Sequence, residues 1–110
     1  MSLYALNLFD LADNDDYLAY SRRSVDAVRR HGGTVAALGK LDADAPVLEG
    51  DTQPRQAMVL VEWPSREAFE AFLEDSDNED LHPLRENGTR NYIWWLYDSL
   101  EDLRPLFAGR

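Results

Sequence analysis

Apolar positions along this chain fall into two rhythms, short continuous or alternating runs and longer stretches with a three-to-four spacing, and these rhythms predict its elements. Leu3 to Phe9 is apolar at every position except Asn7 and stops at Asp10. It is too short for a useful helix and predicts a strand buried on both faces. Tyr17 to His31 is predicted as a helix, with Tyr17, Tyr20, Ser21, Ser24, Ala27, Val28 and His31 on one side and Arg22, Arg23, Asp26, Arg29 and Arg30 on the other. Asp13 is the expected cap, and Gly32 the left-handed stop. His31, beside that stop, reads as a helix-end histidine meeting free carbonyls.

Thr34 to Leu41 is the second strand, with Gly39 marking a bulge or a close approach to the backbone. An acidic loop, Asp42 to Pro54, follows; Val47-Leu48-Glu49-Gly50 is its apolar anchor, expected to fold back on the sheet. In the third strand, Gln56 to Trp63, Ala57, Val59 and Val61 point one way and Met58, Leu60 and Glu62 the other. Pro64 ends it and Ser65 caps a second helix whose stripe is Ala68, Phe69, Phe72 and Leu73. A short helical piece is expected from Asn78 past Leu81, His82, Leu84 and Arg85 to the terminator Asn87-Gly88. Asn91 to Tyr97 is an aromatic fourth strand. In the tail, 98–110, Leu100, Leu103, Leu106 and Phe107 are expected to dock as one more short helix, on the domain or on a partner.

The order strand, helix, strand, strand, helix, strand over 110 residues predicts a single α+β domain of ferredoxin-like βαββαβ topology: a four-stranded antiparallel sheet with its helices on one face. Strands one, three and four are apolar on both sides, however, whereas a sheet with one open face alternates. Met58, Leu60, Leu3, Ala5, Phe9 and one of Trp94 or Trp95 are expected on the helix-free face, a patch large enough to mark an interface. The simplest cover is the same face of a second copy, giving a homodimer in which two sheets close a dimeric α+β barrel. Asn7 and Glu62 are expected to point together into the space between the sheets. A carboxylate there needs a partner; of Arg55, Arg85 and Arg90, Arg85 is preferred.

Composition narrows the classes of function. The formal charge of −10 argues against a nucleic-acid partner and an anionic membrane surface. No cysteine is present, which excludes disulfides, thiolate metal sites and a cysteine nucleophile. The N-terminus lacks the pattern of a signal peptide and no apolar run approaches a membrane span, so a cytoplasmic location is expected.

Taken in order, Gly32-Gly33, Gly39, Val47-Leu48-Glu49-Gly50, Met58-Val59-Leu60-Val61-Glu62-Trp63-Pro64-Ser65, Ala68, Phe69, Phe72 and Leu81 to Arg85 make the chain resemble the domain-of-unknown-function 1330 family, a branch of the dimeric α+β barrel superfamily. The resemblance implies a ferredoxin-like subunit, a homodimer and a small cavity, between helix and sheet or within the barrel. It implies no reaction. Trp94-Trp95 and the tail depart from the family pattern, as does the acid-rich Glu74 to Asp80, where the family more often has a tyrosine-containing segment. The wider superfamily includes heme-degrading and quinone-forming monooxygenases, lactone isomerases and dehydratase-like enzymes, a fold-level analogy only.

Candidate chemistry is sparse. His31 and His82 have no metal-ligand spacing, and neither a phosphate loop nor a nucleophile elbow is present, so no metal and no cofactor is expected. Trp63, Trp94, Trp95, Tyr92 and Tyr97 are candidates to line a flat apolar pocket. Two readings from different classes remain. One is a dimeric module that binds a small apolar or aromatic ligand, with Asn7, Glu49, Glu62, Arg85 and Trp94 as candidate contacts, or binds only itself. The other is a cofactor-free isomerase, lyase or monooxygenase, with Glu62 or His82 as acid/base and Arg85 or Asn7 polarising a carbonyl or carboxylate.

Overall fold

The computed structural model describes residues 2–109. Its elements are β1 (Leu3–Leu11), α1 (Asp16–Arg30), β2 (Thr34–Lys40), β3 (Ala57–Trp63), α2 (Arg66–Glu74), α3 (Leu81–Gly88) and β4 (Thr89–Asp98), with 3₁₀ turns at Ser76–Asn78 and Arg104–Phe107. The four strands form one antiparallel sheet in the order β2-β3-β1-β4, the ferredoxin-like topology. Leu3, Ala5, Val61 and Trp63 on the sheet pack against Ala27 and Val28 of α1, Phe69 and Phe72 of α2 and Leu81 of α3, so one face carries all three helices. The molecule measures 47 × 38 × 18 Å. The smallest dimension is the thickness of one sheet and one helix layer; among the described residues no helix lies on the sheet's second face, and the start of the tail borders it beside Tyr4.

The helix ends follow from local chemistry. Ser65 Oγ accepts from the Ala68 N–H at 3.1 Å, the expected cap of α2. Gly32 has φ +85°, and the Gly32 and Gly33 N–H groups bond to the Arg29 and Val28 carbonyls, a Schellman ending for α1. At its start the expected Asp13 cap is not made. Helix α1 begins at Asp16, whose N–H is bound by Asn14 Oδ1, while Asn14 Nδ2 donates to the Asn87 carbonyl. The start of α1 is thereby tied to the end of α3. Gly88 permits that closeness: a Cβ there would lie 2.4 Å from the Tyr17 backbone nitrogen. Gly39 pairs with Met58, and the irregularity in β2 falls between Val35 and Ala37 rather than at the glycine. Gly39 matters instead as a close approach, because a Cβ would lie 2.9 Å from Met58 Cε.

The register corrects which residues share a face. Leu3 pairs with Trp63, Ala5 with Val61, Asn7 with Val59 and Phe9 with Ala57, all under the helices. Tyr4 pairs with Glu62, Leu6 with Leu60 and Leu8 with Met58, on the bare face. Asn7 and Glu62 therefore lie on opposite sides of the sheet, not together. Leu3, Ala5 and Phe9, expected on the bare face, are buried beneath the helices at 4%, 1% and 1% exposure. The bare face is apolar all the same, with Leu6, Leu8, Met58 and Leu60 joined by Ile93, Trp95 and Tyr97 of β4. Trp95 looks out from that face, and Trp94 faces the helices opposite Asn7.

One expected anchor is not seated. Leu48 is 94% exposed, so Val47-Leu48 does not fold the long loop onto the sheet. The tail forms its 3₁₀ turn, yet Leu100, Leu103, Leu106 and Phe107 all remain exposed on the subunit. His31 does more than meet carbonyls: its Nε2 lies 2.8 Å from Asp75 Oδ2, joining the ends of α1 and α2. That contact, with the Asp77 N–H on the other oxygen, holds the Asp75 carboxyl below its usual range.

Candidate functional site: an apolar cavity under helix α1

Helix α1 lies on the sheet without closing over the helix side of β2, where Val35 and Leu38 are exposed. Between the helix and the sheet lies a cavity of about 670 Å³, open at this edge. The volume is in the range of small-molecule sites. Its floor is Ala5, Asn7, Phe9, Val59, Val61, Trp63, Tyr92 and Trp94, and its roof is the inner side of α1, Tyr17, Tyr20, Ser21, Ser24, Val25 and Val28. Phe72 of α2 closes the inner end. The roof exists because the three-to-four spacing of α1 puts small and hydroxylated residues inward where a fully packed helix would carry larger aliphatic ones.

The lining is chemically simple. Although the chain carries 21 acidic residues, the cavity wall contains no Asp, Glu, His, Lys or Arg among the described residues. Its polar side-chain groups are the Asn7 amide, three tyrosine hydroxyls, two serines and the indole N–H groups of Trp63 and Trp94, the last of them buried without a hydrogen-bond partner among the described residues. Asn7 is 6% exposed and already committed. Its Nδ2 donates to the Val59 carbonyl at 3.1 Å and to Ala5 at 3.3 Å, and its Oδ1 accepts from the Tyr92 hydroxyl. These bonds make Asn7 the anchor that fixes Tyr92. Burial pushes the Tyr17 hydroxyl up to about 12, with Tyr20 adding to the effect, and raises Tyr20 and Tyr92 as well. All three are neutral donors near pH 7. Ser21 Oγ donates to the Leu18 carbonyl within its own helix.

Aromatic rings make the wall rigid. Phe9 stacks on Tyr92 with centroids 5.1 Å apart and planes 7° from parallel, and meets Tyr17 at 4.7 Å. Trp63 packs on Phe69 and Phe72, and Phe69 meets Trp94 edge-on. Behind this wall stands Arg85 of α3, its guanidinium carbon 4.9 Å from the ring centroids of both Tyr92 and Trp94.

The residues singled out from the sequence thus separate. Asn7 and Trp94 line the cavity, and Arg85 sits directly behind it. Glu62 is on the opposite face of the sheet, beside Tyr4 and across from Thr34. The expected Glu62–Arg85 pair is therefore not formed; the carboxylate near Arg85 is Glu86, at 3.8 Å. Glu49 is exposed in the long loop, and His82, half-buried on α3, is outside the lining. Of the candidate aromatics, Trp63, Tyr92 and Trp94 line the cavity; Trp95 and Tyr97 do not. Sequence reasoning missed the hydroxyl row Tyr17, Tyr20, Ser24 as part of a site. Its signal was present, as polar side chains at helical spacing on the same side as Ala27 and Val28.

A family model described as Domain of unknown function (DUF1330) matches residues 2–96. No curated protein matches the chain. Among solved structures, a protein of unknown function from Rhodopseudomonas palustris is 22% identical, with a TM-score of 0.77 over 92% of this chain and 84% of that one. A dimeric ferredoxin-like protein of unknown function from Jannaschia is 10% identical, with a TM-score of 0.62 over 90% of this chain and 100% of that one. SnoaB, a cofactor-independent oxygenase from Streptomyces nogalater, is 12% identical, with a TM-score of 0.64 over 93% and 96%. At these identities the likeness shows the fold alone.

Proposed function

We infer that this chain, which belongs to the Domain of unknown function (DUF1330) family, is a homodimeric module that binds a flat, largely apolar small molecule in the cavity beneath α1. One observation carries the reading: a cavity of about 670 Å³ with an aromatic floor, a hydroxylated roof and an open edge at β2. The side chains of Trp63, Tyr92 and Trp94 offer aromatic contacts to a planar ligand, and the hydroxyls of Tyr17, Tyr20 and Ser24 offer the few polar contacts that orient it. The homodimer forms through the bare sheet face, which would otherwise leave Leu6, Leu8, Met58, Leu60 and Trp95 side by side in water. No helix of the described residues is long and apolar enough to cross a membrane.

The enzymatic alternative finds support in SnoaB, described as a cofactor-independent oxygenase of the same fold. It finds none in Glu62, which lies across the sheet from the cavity, or in His82, which is outside its lining. Any proton transfer within the cavity falls to tyrosine hydroxyls held neutral by burial, poor bases near pH 7. Binding is therefore the better-supported activity.

The test uses 2-naphthamide, a neutral planar probe, titrated while tryptophan fluorescence is followed. Quenching with a saturable, micromolar-range curve is expected from the native protein. Ser24→Trp, which fills the roof, should abolish it while leaving the far-UV circular dichroism unchanged. Equal binding to both proteins would put the ligand elsewhere and sink the reading.

A further inference from the structure

We propose that the cavity beneath α1 selects an anionic planar ligand, an aromatic carboxylate or an acidic phenol, because the Arg85 guanidinium lies behind its aromatic wall without a matching buried acid. The inference rests on the binding role just assigned to the cavity and adds the charge class of its occupant.

The side chain of Arg85 is only 13% exposed. A guanidinium withdrawn from water is ordinarily paired with a carboxylate. Here its acidic neighbour among the described residues is Glu86, at 3.8 Å, beyond hydrogen-bond reach and itself 67% exposed. The other groups facing Arg85 are neutral: the rings of Tyr92 and Trp94 from β4, each with its centroid 4.9 Å away, and the hydroxyls of Tyr92 and, from α1, of Tyr17 and Tyr20, whose pKa values its charge acts to lower. Rings attract a cation without cancelling its charge. The tyrosines stay uncharged near pH 7, so none of them supplies the missing anion.

The position of this charge decides what it does. Tyr92 and Trp94 line the cavity and Arg85 does not, so the cation acts on a ligand from behind these two side chains and not by direct contact. An anion on the cavity side of those side chains would sit roughly 8–10 Å from the guanidinium, a separation at which the effective protein dielectric still gives roughly a twentyfold attraction. The wall contributes no opposing charge, because the lining contains no carboxylate among the described residues. The hydroxyls of Tyr17 and Tyr20 are the right partners at short range: as neutral O–H groups they donate to an oxyanion. The chain's −10 charge is spread over its exterior, where salt screens it within about 8 Å.

The experiment compares two probes of nearly the same shape, 2-naphthoate and 2-naphthamide, by tryptophan quenching at pH 7 and 0.15 M salt. In the native protein naphthoate should bind about tenfold more tightly than naphthamide, although its carboxylate is the costlier group to dehydrate. Arg85→Met should weaken naphthoate about twentyfold, leaving naphthamide the tighter ligand, and change naphthamide by less than twofold; Arg85→Lys, which keeps the charge, should retain most of the preference. Naphthamide binding as tightly as naphthoate in the native protein overturns the charge selection alone, and needs no variant to fold. If neither probe binds, the binding role of the cavity fails and the selection fails with it.

Discussion

Asn7 is the residue on which the cavity's shape depends, and its role is set by saturation. A buried amide has two donors and one acceptor oxygen to satisfy. Both donors go to backbone carbonyls and the oxygen takes the Tyr92 hydroxyl, so the side chain ties β1 to its neighbours on both sides. Asn7→Leu is nearly the same size but leaves the Tyr92 hydroxyl without its partner. We expect a loss of about 2–3 kcal/mol in stability, measured by urea unfolding, from the stranded hydroxyl and the lost amide bonds. Tyr92→Phe in that background should restore part of the loss, because it removes the stranded group. A loss of under 0.5 kcal/mol for Asn7→Leu would mean that the amide is not holding the ring. Glu62 shows the limits of sequence reasoning at this scale. Strand parity placed it correctly opposite Val59 and Val61, but relating β3 to β1 requires the register, and here odd positions pair with odd. Both faces of these strands are apolar, so the alternation that usually tells inside from outside was missing.

At the level of elements, the contact between α1 and α3 sets how far the cavity roof stands from its floor. Gly88 ends α3 where Tyr17 begins the inner row of α1; the Ala12 N–H also bonds to the Gly88 carbonyl at 3.0 Å. A methyl group 2.4 Å from the Tyr17 nitrogen has only backbone to displace. Gly88→Ala should therefore cost about 1–3 kcal/mol in thermal or urea unfolding and should weaken ligand binding, because Tyr17 and Tyr20 move with the helix. An unchanged melting temperature would show that the two helices yield easily. Element order, the Ser65 cap and the Gly32 stop were legible from sequence because each depends on a few adjacent residues. The Asp13 cap failed because Asn14, one residue later, has both an amide and a carbonyl and can serve Asp16 and Asn87 at once. The cavity was not legible, since it arises from where α1 lies across the sheet rather than from any motif.

For the molecule as a whole, the decisive feature is a sheet with two apolar faces and helices on only one. Among the described residues the 18 Å thickness leaves no third layer; the long loop is exposed, and the tail reaches only the end of the face beside Tyr4. A second copy placed face to face would bury Leu6, Leu8, Leu60 and Trp95 against their equivalents, and a stable interface needs roughly 800 Å² from each partner. The same arrangement offers the tail's Leu103, Leu106 and Phe107 a surface on the partner, which the subunit alone does not give them. Leu60 is central to this face, pairing with Leu6 on β1 and Ala37 on β2. Leu60→Glu sets a carboxylate at the middle of the interface, where two copies would bring like charges together in an apolar setting. Light scattering should give twice the 12.6 kDa chain mass for the native protein and the chain mass itself for the variant. The native melting temperature should rise with protein concentration, and that of the variant should not. Because Val59 and Val61 turn to the other side of the same strand, naphthamide binding should survive in the monomeric variant if it remains folded. A native protein that scatters as a monomer at micromolar concentration, with a melting temperature independent of concentration, would remove the dimer and leave the bare face in need of another occupant.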